Sequence, residues 1–526
     1  MTPVVGQCVP DAVTRCAPAA CTTRDWVDDL YRPTTGARRG RFHRPRRVLG
    51  WSARLSQVRS SEARERELGD RNAWLALAVT TLVFFLSVID ISAVNVAFPS
   101  MRDDFGVSES TLGWVISGYN VTVAALLLVA GRYADSFGRK RLFIPGVATF
   151  MIGSMLSALA PSVGFLIAAR VVQGGGSAII AATAIAVVIP DFPPNKRSTV
   201  IGITGATGAL GAVVGPALGA FLTDVWSWRG IFWINVPLSI VVLALAPRLL
   251  RESKNPNATG KIDLVGVPIG AAGVGLVMFA IVRSEEWGVL DLRSLSIGAV
   301  GLVLVWMLVR RSRDHSEPLL ELDLFALRSF ASTNAGLALY SMAFTSGFLI
   351  NSLLLQELWD QPLSVVGAAL VPAPLLATLV SPVAGRYADR IGHRWILASG
   401  SALCGLPYLA YILLLDDEPA VWTVFVPLGL VVGVGVGLSI ATWASAGLSD
   451  VNPAQFGTAN ATIRTTQQIG YALGISMIVT ILADVSLDPQ ISDFRWAWAF
   501  VGIAYLAAAA MIALTFPKGN SESRVE

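Results

Sequence analysis

Gly131-Arg-Tyr-Ala-Asp-Ser-Phe-Gly-Arg-Lys-Arg141 is a short polar, basic stretch between two long apolar runs. It returns as Gly385-Arg-Tyr-Ala-Asp-Arg-Ile-Gly-His-Arg394, and the first five residues are identical 254 positions later. A loop that recurs between two apolar segments implies two related halves. A duplicated set of membrane helices is an architecture that moves a solute across a bilayer.

The surrounding composition agrees. The chain has 526 residues, 54% of them hydrophobic and 14% charged, with a mean hydropathy of +0.60; soluble domains carry about 25% charge. Apolar runs lie near 73–98, 110–130, 142–160, 163–190, 198–223, 230–247, 263–283, 294–309, 329–355, 364–384, 395–415, 420–447, 457–483 and 495–516. Each is long enough, or nearly so, to cross a hydrocarbon core of roughly 30 Å. The runs are continuous instead of alternating, so they predict helices and exclude a transmembrane barrel. The predicted fold class is an all-α polytopic membrane protein of 14 spans.

Lys and Arg set the orientation. With 14 spans both ends share one side, and placing them inside leaves five basic residues outside: Arg102, Arg229, Arg283, Arg293 and Arg495. The expected location is the cell membrane, multi-pass, with both termini cytoplasmic. The net charge of +4 then reflects topology, and nucleic acid is not an expected partner. Residues 1–72 hold 14 Arg with little apolar periodicity and are expected to form a disordered basic tail. The cysteines Cys8, Cys16, Cys21 and Cys404 form no CxxC pair, and His43, His315 and His393 form no metal cluster. No GxxxxGK[ST] loop is present, so neither an enzyme nor an ATP-driven pump is expected, and no cofactor.

Three charges stand deep inside apolar runs: Asp90, Arg170 and Arg464. Asp90 lies about 17 residues into the first, where a carboxylate must be protonated, paired or facing water. Low dielectric favours the neutral form of a carboxyl, as a proton carrier requires. Arg170, in the fourth run, carries a guanidinium that does not lose its proton and needs a partner. Asp90 is the first candidate. In the fifth run, Gly208, Gly211, Gly215 and Gly219 make a small-residue face, and Pro216 invites a bend. In the repeated loops, Gly131 allows close helix contact and Gly138 a tight turn, while Asp135 is placed for a helix N-terminus or a basic partner.

The chain resembles a major facilitator superfamily transporter, and within that superfamily the 14-helix drug/proton antiporter branch (the EmrB/QacA type). Asp90–Pro99 is similar to the branch's first-helix motif, with Ser92 for Thr and Phe98 for Leu. Gly131, Asp135, Gly138, Arg139 and Lys140 match the loop motif, with Gly385, Asp389, Arg390, Gly392 and Arg394 as the second copy. Arg170, Gln173, Gly174 and Gly176 resemble the fourth-helix motif, for which the family reading is proton coupling. Gly211, Gly215, Pro216 and Gly219 resemble the antiporter helix motif, with Ala220 where a second glycine is usual. Trp228–Pro237 resembles a further branch segment.

The resemblance implies six-helix bundles over 73–247 and 329–516. An inserted helix pair would lie in 248–328, and a short tail over 517–526. It implies a monomer in the lipid bilayer that exchanges protons for a hydrophobic small molecule, cationic ones included. Asp90 and Arg170 would couple protons, and the two loops would form the inner gate. Asn95, Tyr119, Gln173, Asn351, Gln356, Asn460, Arg464 and Gln467 are candidate cavity residues. Rival expectations are export of one specific metabolite, siderophore or antibiotic, and symport on the same fold.

Overall fold

The computed structural model describes residues 48–193, 196–254, 263–288, 290–315, 318–482 and 490–517. The long helices are α1 (Val48–Val96), α2 (Glu109–Phe137), α3 (Arg139–Ala158), α4 (Val163–Val188), α5 (Arg197–Val225), α6 (Asn235–Leu249), α7 (Gly266–Trp287), α8 (Leu292–Asp314), α9 (Arg328–Leu353), α10 (Pro372–Ile391), α11 (His393–Leu414), α12 (Val426–Leu448), α13 (Phe456–Ile481) and α14 (Ile491–Thr515). No strand occurs among the described residues. The apolar part of α1 is Arg71–Val96; its helical backbone begins at Val48, inside the stretch expected to be an irregular tail. Residues 1–47 and 518–526 lie outside the described residues.

Among the described residues, 12 helical stretches are long and apolar enough to cross a membrane. The long helices outside that set are α5 and α13. Helix α5 is continuous over Arg197–Val225, with Pro216 inside it. In α13 the run from Thr458 to Gln468 is crowded with hydroxyls, amides and Arg464.

The packing repeats between the halves. Helix α4 packs on α2 and α3, as α12 packs on α10 and α11. Helix α6 lies on α3 as α14 lies on α11. Each half also lends one helix to the other: α2 packs on α13, and α10 on α5. The hairpin α7–α8 attaches through α7, which touches α2 and α13.

The repeated glycines explain these contacts. A Cβ at Gly131 of α2 would lie 2.7 Å from the Gly457 carbonyl oxygen of α13. At Gly385 of α10 it would lie 2.6 Å from the Ser198 carbonyl oxygen of α5. The second glycine of each copy makes the helix-to-helix turn with a positive φ, +118° at Gly138 and +89° at Gly392, where a side chain would be strained.

Candidate functional site

The deep charges meet. Arg170 reaches from α4 to the Asp90 carboxylate of α1, and both side chains are buried. Gln173, one turn beyond Arg170, donates Nε2–H to Asp90 Oδ1 at 2.9 Å and accepts from Arg170 Nη1 at 2.8 Å. Asn235, at the start of α6, donates to Asp90 Oδ1 at 2.9 Å and to Ser154 Oγ at 3.0 Å. Arg170 Nε is taken up by the Val115 carbonyl at 3.1 Å, and its guanidinium lies 4.2 Å from the Tyr119 ring centroid. Tyr119 in turn donates to Ser177 Oγ at 2.7 Å.

Close helix packing makes this geometry reachable. A Cβ at Gly153 of α3 would stand 2.5 Å from the Gln173 backbone nitrogen, so glycine lets α4 approach until Arg170 and Gln173 face α1. The α5 motif works on the other flank of α1. Gly211 and Gly219 meet α1 at Val88 and Ala93, and the Ser92 hydroxyl donates to the Gly211 carbonyl at 3.3 Å. A Cβ at Gly215 would overlap Ser92, and Pro216 lies inside α5 one residue on. The helix carrying Asp90 is therefore gripped by a face without side chains.

A second polar cluster joins the halves at the end bearing the repeated loops. Asp135 accepts from the backbone N–H groups of Gly457 and Thr458 at 3.0 and 2.6 Å, and from Thr458 Oγ1 at 3.0 Å. These are open N–H groups of the first turn of α13, where the helix dipole favours an anion. Arg139 binds Asp135 at 2.7 Å and reaches the carbonyls of Ala186, Pro453 and Ala454. Lys140 donates Nζ–H to the Pro247 carbonyl at 2.6 Å. Arg132 pairs with Glu321, which also accepts from Gln455.

The second copy also reaches across the halves. His393 stands in the register of Arg139, and its Nε2 lies 3.3 Å from Ser198 Oγ across the halves. Arg394, in the register of Lys140, donates Nε–H to the Ala513 carbonyl at 3.0 Å. Arg390 is exposed, and the side chain of Asp389 lies outside those described.

The candidate cavity residues divide. Tyr119 and Gln173 belong to the deep cluster. Asn95 is exposed and donates to its own helix at the Ile91 carbonyl. Gln356 bonds Ser352 within a widened turn after α9, and Asn351 donates to Tyr408 Oη at 3.2 Å. Asn460 is buried and crosses to the Ala181 and Ala182 carbonyls of α4. Arg464 and Gln467 bond each other on α13. The sequence reading missed Asn235 as a third donor to Asp90, although it lies in the quoted 228–237 segment. It also missed Glu252, which accepts from the Lys140 and Arg141 backbone N–H groups at the start of α3.

The sequence profile of the Major Facilitator Superfamily matches residues 80–475 and 335–526. The chain belongs to that superfamily. Multidrug resistance protein Stp of Mycobacterium tuberculosis is 32% identical over 426 residues, 80% of this chain and 79% of that one. Puromycin resistance protein pur8 of Streptomyces alboniger is 31% identical over 460 residues, 84% and 90% of the chains. Cephamycin export protein CmcT of Amycolatopsis lactamdurans is 30% identical over 470 residues, 88% and 96% of the chains. The human organic anion transporter MFSD10 shares the fold, with a TM-score of 0.62 at 15% identity over 84% of this chain and 99% of that one. This member of the Major Facilitator Superfamily is a multi-pass membrane transporter of small molecules, not an enzyme.

Proposed function

We propose that the chain is a proton-coupled exporter of hydrophobic drugs or related small molecules. It belongs to the 14-helix antiporter branch and works as a monomer by alternating access. The observation that carries this is the buried Asp90–Arg170 pair with its added donors Gln173 and Asn235. A proton arriving at Asp90 cancels the charge that holds Arg170. The guanidinium then shifts its bonds toward Val115, Gln173 and the Tyr119 ring, which loosens α1 against α4. Helix α1 passes that change to α5 across the glycine face. The Asp135 cluster holds the halves together at the loop end in one state and must open in the other.

Relatives named as multidrug and puromycin resistance proteins support export. The cephamycin export protein supports the narrower alternative of one natural product as solute. Purified protein in liposomes under an imposed pH gradient tests the proposal. Wild type is expected to move solute against its gradient with counter-flow of protons, and Asp90→Asn to retain only solute exchange. Full proton-driven transport by Asp90→Asn would sink the assignment.

The same proposal places both termini and the two repeated loops on the cytoplasmic side, with α5 and α13 as further spans. Single cysteines at Lys196 and Ser227 should then react with impermeant reagents from opposite sides, as should those at Asn452 and Gln490. Labelling of both members of a pair from one side would remove that span.

A further inference from the structure

The buried arginines Arg132, Arg139 and Arg170 each hold a carboxylate: Glu321, Asp135 and Asp90. Arg464 of α13 is different. It sits eight residues into the helix, about 12 Å along the axis, yet among the described residues it forms no ion pair. Of its five N–H donors, one meets Gln467 Oε1 at 3.0 Å, and Nε is buried with no partner. Its guanidinium lies 5.2 Å from the Phe84 ring centroid, on α1 of the opposite half.

The groups beside it are donors too. Gln467 spends its oxygen on Arg464 and donates Nε2–H to Tyr471 Oη at 2.8 Å. Tyr471 therefore accepts there, and among the described residues no acceptor takes its hydroxyl proton. The Phe344 ring is 5.9 Å from the Tyr471 ring. A permanent cation and a spare O–H thus lie between aromatic rings, at the junction of the two halves, with no anion paired to them among the described residues. An intramembrane guanidinium left in that condition is costly.

We infer that Arg464 and Tyr471 form a docking point for the acidic group of an aromatic organic acid carried by this transporter. The carboxylate accepts from the guanidinium fork and from the Tyr471 hydroxyl, and the aromatic body lies against Phe84 and Phe344. This deepens the exporter proposal by naming the solute's charge, negative instead of cationic. It rests on that proposal only for the direction of movement.

Three fluorescent probes on one skeleton test it: pyrenebutyric acid, its primary amide, and pyrenebutylamine. Binding to the full chain is read in detergent at pH 7 by fluorescence anisotropy, against protein-free micelles. Wild type is expected to prefer the acid over the amide by about tenfold, the scale of one charged hydrogen bond. Arg464→Gln should level the two affinities, Arg464→Lys should keep part of the preference, and Tyr471→Phe should lower it several-fold. An unchanged size-exclusion profile and melting temperature in detergent show that Arg464→Gln folds, and Tyr471→Phe leaves every charge in place. Equal binding of acid and amide by wild type, tighter binding of the amine, no binding of any probe, or an acid preference that survives Arg464→Gln would overturn the inference. The same probes followed in liposomes under a pH gradient separate the two proposals. Acid-selective binding without proton-driven flux removes the exporter reading alone, while proton-driven flux without acid preference removes this inference alone.

Discussion

Asp135 accepts a hydrogen bond from the backbone N–H of Thr458 at 2.6 Å, joining the last turn of α2 to the first turn of α13 in the other half. Arg139 completes the junction from the first residue of α3, so the two charges neutralise each other while both contact the far half. Removing the carboxylate alone leaves a buried guanidinium. Asp135→Ala is therefore expected to cost roughly 3–5 kcal/mol at this contact. Asp135→Ala/Arg139→Met should cost less than Asp135→Ala alone, because no orphan charge remains. Maleimide reactivity of a cysteine placed at buried Thr462 reports the opening, and it should rise most in the single variant. Unchanged reactivity in Asp135→Ala would show that this contact does not hold the halves together.

Asn235 bridges Asp90 to Ser154, and Ser154 is anchored on the Phe232 carbonyl at 2.9 Å. Asn235→Leu keeps the branching at Cγ but strips Asp90 of a donor and leaves Ser154 Oγ one donor short. Each lost buried bond costs about 1–3 kcal/mol. The melting temperature in detergent should fall, and proton-driven transport should fall further than solute exchange does. Asn235→Ser, which retains a donor, should recover part of both. Equal transport by the leucine variant and wild type would exclude Asn235 from the site.

How much of this was legible depended on the kind of signal. The helical class and the paired halves followed from the length of the apolar runs and from the loop repeat, since both are local patterns. The Asp90–Arg170 pairing was also legible, because two deep charges in one bundle leave few other partners. Asn235 and Glu252 were not. Asn235 is one polar residue at a helix start, and nothing in its spacing says that α6 turns it toward α1. Glu252 caps α3 from 112 positions away, so its role exists only after folding. The reach of α2 onto α13 was hidden for the same reason, although the repeated Gly131 and Gly385 carried it. Asn95, which its motif also drew into the candidate set, is exposed and donates to the Ile91 carbonyl of its own helix.

Those two glycines should respond alike to enlargement. A Cβ at either position falls inside contact distance of a backbone carbonyl in the opposite half, 2.7 Å at Gly131 and 2.6 Å at Gly385. Backbone does not yield as a side-chain tip does, so Gly131→Val and Gly385→Val are expected to push the halves apart at this end. Overpacking of this kind costs typically 1–3 kcal/mol. Both variants should show raised cysteine reactivity near α5 and α13 and at least tenfold slower transport. Helical content by circular dichroism should stay unchanged, because each bundle keeps its own packing. Normal transport by either variant would mean that the close approach is not needed in the working cycle.

At the opposite end, beyond the apolar part of α1, Asp104 offers a test by pH. Hydrogen bonds from the Arg229 guanidinium at 2.7 Å and the Trp228 indole at 3.1 Å hold its carboxyl below the ordinary carboxylate value. A carboxyl whose folded value lies below its unfolded one stabilises the fold above the unfolded value, about 3.9, and loses that contribution as pH falls through the folded value. Asp104 is half exposed, so the effect is a modest one. The melting temperature of Asp104→Asn should lie below that of wild type by a constant margin from pH 5 to pH 8, values chosen to stay above the ordinary carboxylate range. The margin should narrow below about pH 4 as wild type becomes protonated at this site. A margin independent of pH down to the folded value would show that the contact acts through packing, with Trp228 and Phe105 in ring contact at 5.5 Å, instead of through charge.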